Sequence, residues 1–136
     1  MPIRVEIISP EKVLVSRDVD MVVMPGEEGD IAAMPDHAPM MLSLRGGVVS
    51  LFEGEIVTDR FFVAGGFADM TATRCTILAD SATPVSNISV DDAISRLEDL
   101  TNALDLASTA DADQVETLIQ KMQSVRAEIE AGTAEH

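Results

Sequence analysis

The sequence predicts a mixed β and α chain: an N-terminal antiparallel β-sandwich or flattened barrel, followed by an antiparallel two-helix hairpin. Three observations carry this. From Ile3 to about Val85, apolar residues recur mainly at every second position, the period of a half-buried strand. Turn residues cut that region into short runs at close, regular intervals, as in a sandwich or barrel. After Pro84 the apolar spacing changes to three and four, the period of a helix. The expected division is a sandwich over 1–86 and a helical hairpin over 87–136.

Taken in order, IRVEIIS puts Ile3, Val5 and Ile7 on one face and Arg4 and Glu6 on the other. DVDMVVM sets Val19, Met21 and Val23 against Asp18, Asp20 and Val22. MMLSL, VVSLF, RFFVA and CTILA follow as further strands, divided by SPEK, PGEEG, PDHAP, RGG, FEGE, AGG and TATR. The pairs Gly46-Gly47 and Gly65-Gly66 suit tight turns or bulges, since glycine takes positive φ at no steric cost. In the second half, Val90, Ala93, Ile94, Leu97, Leu100 and Leu104 form one helical stripe. Val115, Leu118, Ile119, Met122, Val125 and Ile129 form another. Ser89 with Asp92 reads as a shortened capping box, and Asp91 and Asp92 lie where a helix N-terminus favours negative charge. Between the stripes, STADADQ offers Ser108, Asp111 and Asp113 for capping and turning, and the tail after Ile129 is expected to fray. Two helices have little core of their own, so they should rest on each other and on the sandwich, and be the element most able to move.

Composition narrows the function. A net charge of −15, from 9 basic and 24 acidic residues, argues against nucleic acid and anionic lipid and for basic protein partners. Aromatics make up 3% of the chain, which leaves few platforms for stacking bases or sugars. The single cysteine, Cys75, excludes an internal disulfide and reads as a buried thiol within RCTILAD. No apolar stretch reaches the roughly 20 residues of a membrane span. The opening MPIRVEIIS has neither secretory nor transit-peptide character, so a cytoplasmic chain without membrane insertion is expected.

The stretch PGEEGDIAAMPDHAP poses the functional question. Asp36-His37 has the makings of an oriented general base, but no serine or cysteine nucleophile is identifiable beside it. Two histidines are too few for a metal-binding sandwich, and DADQVE lacks the glycine and glutamate of a calcium loop. No phosphate-binding GxxxxGK[ST] occurs. Catalytic, metal and cofactor sites are therefore all expected to be absent. Pro35 and Pro39 fix φ and push Met34 and Ala38 toward extended backbone, while Asp36 tolerates the left-handed region. The whole stretch is expected to be a stiff, exposed loop that loses little entropy on docking.

The order of motifs resembles the epsilon-subunit family of F-type ATP synthases, which includes the mitochondrial delta subunit. A V-x-I opening with S-P-E is followed by PGEEGDIAAMPDHAP, GGVV, FFVAGGFADM, TILADSA and a helical hairpin. The likeness runs in register over nearly the whole chain. It implies a sandwich of about ten strands and a non-catalytic subunit without cofactor. It further implies a place in the central rotor of a proton-translocating complex at the cytoplasmic face of the bacterial inner membrane. There the subunit sits beside gamma and on the c-ring. The contact with the c-subunit loops falls on Glu28, Gly29 and Asp30, with His37 nearby. One sandwich face and part of the hairpin would meet gamma, and in some relatives the hairpin reaches the alpha/beta head.

The chain departs from that family pattern at several positions. Ala32 and Asp36 stand where the family often has glycine. In VDDAIS, Ile94 takes the place of the arginine of an ATP-binding motif, and Arg96 comes two residues later, about 200° around a helix. Beyond Val90 only Arg96, Lys121 and Arg126 are basic, against many Asp and Glu, so approach to an acidic segment is unfavourable and weak regulation is expected. A second reading, from a different class, is a free-standing adaptor whose acidic hairpin binds a basic protein.

Overall fold

The computed structural model describes residues 2–107 and 111–135. Ten strands come first: β1 (Ile3–Ile8), β2 (Val13–Val19), β3 (Met21–Gly26), β4 (Gly29–Ala33) and β5 (Met40–Leu44), then β6 (Gly47–Glu53), β7 (Ile56–Val63), β8 (Gly66–Met70), β9 (Arg74–Ala79) and β10 (Ala82–Pro84). A 3-10 turn at Val85–Asn87 leads into α1 (Val90–Leu106) and α2 (Ala112–Glu135). The strands form one hydrogen-bonded sheet in the order β10-β7-β6-β3-β5-β8-β9-β1-β2, with β4 added to β3. The sheet coils into a flattened sandwich: β2 at one end comes back against β6 and β7, where Arg17 pairs with Asp59 and donates to Thr58 Oγ1 at 2.9 Å. Pairing is antiparallel except between β1 and β9, which run parallel.

Strand alternation sets the core. Ile3, Val5 and Ile7 of β1 lie beside Cys75 and Ile77 of β9, all fully buried. Burying each large aliphatic side chain is worth about 1.5–3 kcal/mol. Burial, with Asp69 adding to it, pushes the Cys75 thiol up to about 12, so it stays neutral and inert. In RFFVA, Phe61 and Val63 face this core, while Phe62 points the other way into a second cluster with Val85 and Ile88 beneath the helices. That second cover explains the unbroken apolar run.

Four expectations are corrected. DVDMVVM is not one strand: the chain breaks at Asp20, and Val22 and Met24 are buried in place of Met21 and Val23. Asp20 makes the corner, its N–H donating to the Phe52 carbonyl and its carboxylate accepting from the Gly54 N–H, so β3 pairs with β6 while β2 pairs with β1. PGEEGDIAAMPDHAP is not one loop: GDIAA is strand β4, with Ala33 buried. Gly46 and Gly47, unlike Gly65 and Gly66 with φ of 123° and 129°, do not use positive φ; they allow close approach of Ser124 and Pro25.

The tail after Ile129 is helical as far as Glu135, as part of α2. Gly132 is the physical reason: a Cβ there would lie 2.7 Å from Ile88, so its absence lets the last turns rest on the Phe62 cluster beside Ala127 and Ala131. Both helices take their N-terminal caps from residues the sequence offered, Ser89 making the forward bond of the capping box. Ser89 Oγ accepts from the Asp92 N–H at 3.3 Å, and Asp111 Oδ1 accepts from the Gln114 N–H at 3.0 Å. Such caps are worth about 1 kcal/mol. Asp113 lies in the first turn of α2, and Ser108 falls outside the described residues. Within the stripes, Ile94 and Ile119 remain 42% and 51% exposed and add little to the seam.

Candidate functional site

The acidic residues Glu27, Glu28 and Asp30 sit on the β3–β4 hairpin, where a two-residue loop joins Gly26 to Gly29. Gly29 has φ of 139°, a conformation that side chains rarely adopt. The tip is braced from β5 and the residue after it: the Glu27 N–H donates to the Ser43 carbonyl, and the Arg45 N–H donates to the Pro25 carbonyl, each at 3.0 Å. Glu28, Gly29 and Asp30 are all exposed. Between them and β5 lies an open groove of about 410 Å³ that also takes in Met40 and Leu42. A rigid anionic tip beside methionine and leucine can hold a basic loop by charge and cover its apolar part.

Asp30 already has a partner. Its Oδ1 accepts from Arg45 Nη2 at 3.0 Å, in an exposed pair. Arg45 escaped the sequence reading because it stands 15 residues away, in a turn marked mainly by its glycines.

His37 does not line this groove. The five residues of β4 intervene, and four steps of about 3.3 Å place Ala33 roughly 13 Å along the strand from Gly29. The histidine loop packs instead toward the β8–β9 turn, where the Asp36 N–H donates to the Ala72 carbonyl at 2.7 Å. Asp36 has φ of 67°, the left-handed geometry for which an aspartate suffices where relatives often have glycine. His37 Nδ1 lies 2.7 Å from the Ala38 carbonyl, so Nδ1 carries the proton and the ring is tied to its own loop. Its half-buried imidazole braces a turn.

A second surface was missed by the sequence reading. Register aligns Ser43 with Phe67, Phe67 with Leu78, Leu78 with Ile8 and Ile8 with Val13, a row across five strands on the outer face. Phe67, Leu78 and Val13 are more than half exposed. The signal was available in TILA, where apolar residues occupy both strand phases.

The hairpin lies over another part of the sandwich. Between the two is a cleft of about 620 Å³ containing Arg96, Lys121, Asp80 and Asp99. Arg96 is engaged there by both oxygens of Glu128, whose hydrogen bonding raises the guanidinium further above its usual pKa. Among the described residues, no cluster of His, Cys, Asp and Glu could hold a metal ion, and no helix is long and apolar enough to cross a membrane.

Residues 2–85 match the model of the ATP synthase delta/epsilon chain β-sandwich domain. The chain belongs to the epsilon-chain family of ATP synthases. It is 65% identical to the ATP synthase epsilon chain of Gluconacetobacter diazotrophicus over 96% of its own length and 93% of that chain. The corresponding protein of Granulibacter bethesdensis is 47% identical, over 93% of both. Two solved structures share the fold at low identity. One is a chain of the Euglena gracilis mitochondrial ATP synthase, with TM-score 0.76 and 17% identity over 99% of this chain and 82% of that one. The other, from a Tetrahymena thermophila mitochondrial ATP synthase central stalk and c-ring, has TM-score 0.69 and 12% identity over 97% of each. Membership of the epsilon family accounts for the sandwich followed by two helices.

Proposed function

We propose that this epsilon-type chain is a non-catalytic rotor subunit of a proton-translocating ATP synthase. In this reading it links gamma to the c-ring at the cytoplasmic face of the bacterial inner membrane. One observation supports it most: a braced, exposed acidic hairpin tip, at Glu28, Gly29 and Asp30, on a chain of this family. The tip takes the polar loops of the ring, with Met40 and Leu42 supplying apolar contact. His37 acts by shaping the neighbouring surface and moves no proton. Gamma covers the apolar row from Phe67 to Val13, which would otherwise face water.

Asp30→Arg tests the ring contact. A surface ion pair is worth only about 0–1 kcal/mol, but the substitution also sets a second guanidinium beside Arg45. The isolated chain should fold normally, because the Asp30 side chain is largely exposed, while assembly onto the ring falls. Unchanged ATP-driven proton pumping by complexes carrying this variant refutes the assignment. Co-purification with gamma and c subunits separates the reading from a free-standing adaptor.

The hairpin regulates hydrolysis weakly. Its three basic residues are outnumbered by acids, and Arg96 is already paired with Glu128. Deleting residues 90–136 is expected to leave the ATP hydrolysis rate of the assembled complex within about fivefold, since the lost contacts are of surface-pair size. A steep rise in that rate after deletion sinks this part of the reading.

A further inference from the structure

We infer that the Arg45–Gly46 turn is a latch coupling the acidic tip to the docking of the helical hairpin. The hairpin is held mainly through α2, which packs on β6 and the Val85–Asn87 turn, while α1 packs mainly on α2. Just before β6, Gln123 of α2 makes two hydrogen bonds to Gly46: its Oε1 accepts from the Gly46 N–H at 3.3 Å, and its Nε2 donates to the Gly46 carbonyl at 2.9 Å. Ser124 fits the notch beside it, so close that a Cβ on Gly46 would lie 2.5 Å from Ser124 Cα. Its hydroxyl donates to the Ala64 carbonyl at 3.4 Å.

The Gly46 carbonyl accepts from Arg45 as well. Arg45 Nη1 donates to the Gly46 carbonyl at 3.4 Å, while Nη2 of the same guanidinium donates to Asp30 at 3.0 Å. A continuous chain therefore runs from Asp30 through Arg45 and the Gly46 carbonyl to Gln123 on α2. Arg45 and Gln123 both donate to this one carbonyl, so the link is one of position: the guanidinium and the amide together fix where the Gly46 peptide lies. Asp30 fixes the guanidinium over the carbonyl. A cationic group that competes for Asp30 withdraws that hold, and the seat of α2 loosens. Contact at the tip thereby shifts the hairpin toward release, with the sandwich unchanged. The inference rests on the proposed ring contact only for the source of that competing cation; the latch belongs to the isolated chain.

Amide hydrogen exchange on the full-length isolated chain tests it. Gly46 has no positive φ, so Gly46→Ala is tolerated by the backbone and acts by pushing α2 away. It should speed exchange across residues 118–131 on the order of ten- to a hundredfold, the range of overpacking, with β1 and β9 unaffected. Gln123→Ala, which adds no bulk, should act in the same direction. Asp30→Asn removes the anchor of Arg45 and should speed the same amides by about two- to fivefold, the range of a surface pair. If Gly46→Ala and Gln123→Ala leave α2 exchange unchanged, there is no latch. If they speed it but Asp30→Asn leaves it unchanged or slows it, there is no coupling. Failure of the ring contact would show separately, as normal assembly of the Asp30→Arg complex.

Discussion

Gly66→Ala is expected to cost the sandwich about 2–6 kcal/mol, the sum of backbone strain and overpacking, a large share of the stability of a domain this size. Gly66 opens β8 with φ of 129°, outside the range that L side chains accept. A Cβ there would lie 2.1 Å from the Leu78 carbonyl oxygen and 2.9 Å from Ala79 Cα, both on the rigid neighbouring strand β9. Nothing flexible can move aside, and β9 carries Cys75 and Ile77 at the centre of the core. Gly29→Ala provides the control. It has φ of 139° but nothing within 4 Å, so it should lose only the strain, about 1–3 kcal/mol. Chemical denaturation of the two variants beside the parent chain checks the difference. Equal midpoints would show that crowding by β9 contributes nothing at position 66.

The contrast between these glycines shows what a sequence can carry. The pairs at 46–47 and 65–66 look alike as letters, and both marked places where the chain needs glycine. Only the fold separates their reasons: positive φ at one pair, approach of a helix and a proline at the other. The strands were legible because alternation is a local consequence of having one wet and one dry face. Alternation failed where the chain turned a corner at Asp20, since a one-residue change of phase leaves no mark in composition. It also failed in GDIAA, where the glycine, the aspartate and the prolines on either side of the segment outweighed Ile31, Ala32 and Ala33. The end of α2 was hidden for a related reason. Gly132 near a terminus reads as a breaker, and only the presence of Ile88 beneath it makes it a contact.

The candidate site was legible in part. Acids bracketed by glycines announced an exposed turn, and Glu28, Gly29 and Asp30 are exposed on one. The resemblance set His37 near that turn; β4 stands between them, and His37 does not line the groove beside Glu28, Gly29 and Asp30. Arg45, Gln123 and the apolar row are long-range features. Each depends on which strands become neighbours, and that order is not written in any single segment.

Phe67→Asp is expected to weaken gamma binding by at least about 2 kcal/mol, roughly 30-fold, the size of an aromatic hot spot, with little loss of stability because the ring is 56% exposed. Phe67 alone does not identify the partner, because it also lies near the tip: it shares a pocket with Glu27 and Arg45. Val13 resolves this. It stands at the far end of the row, four strand spacings from Ser43, about 19 Å at 4.8 Å per spacing. If gamma covers the whole row, Val13→Asp should also weaken the isolated gamma–epsilon pair, while Asp30→Arg should spare it. If only Phe67→Asp acts, and acts on ring assembly, the row belongs to the tip and gamma binds elsewhere. Titration of each purified variant against gamma, in the absence of the ring, separates the two outcomes. The apolar row has physical reason to be covered: aspartate at either end puts a charge where burial would leave it unpaired, a penalty that appears only when a partner removes the water.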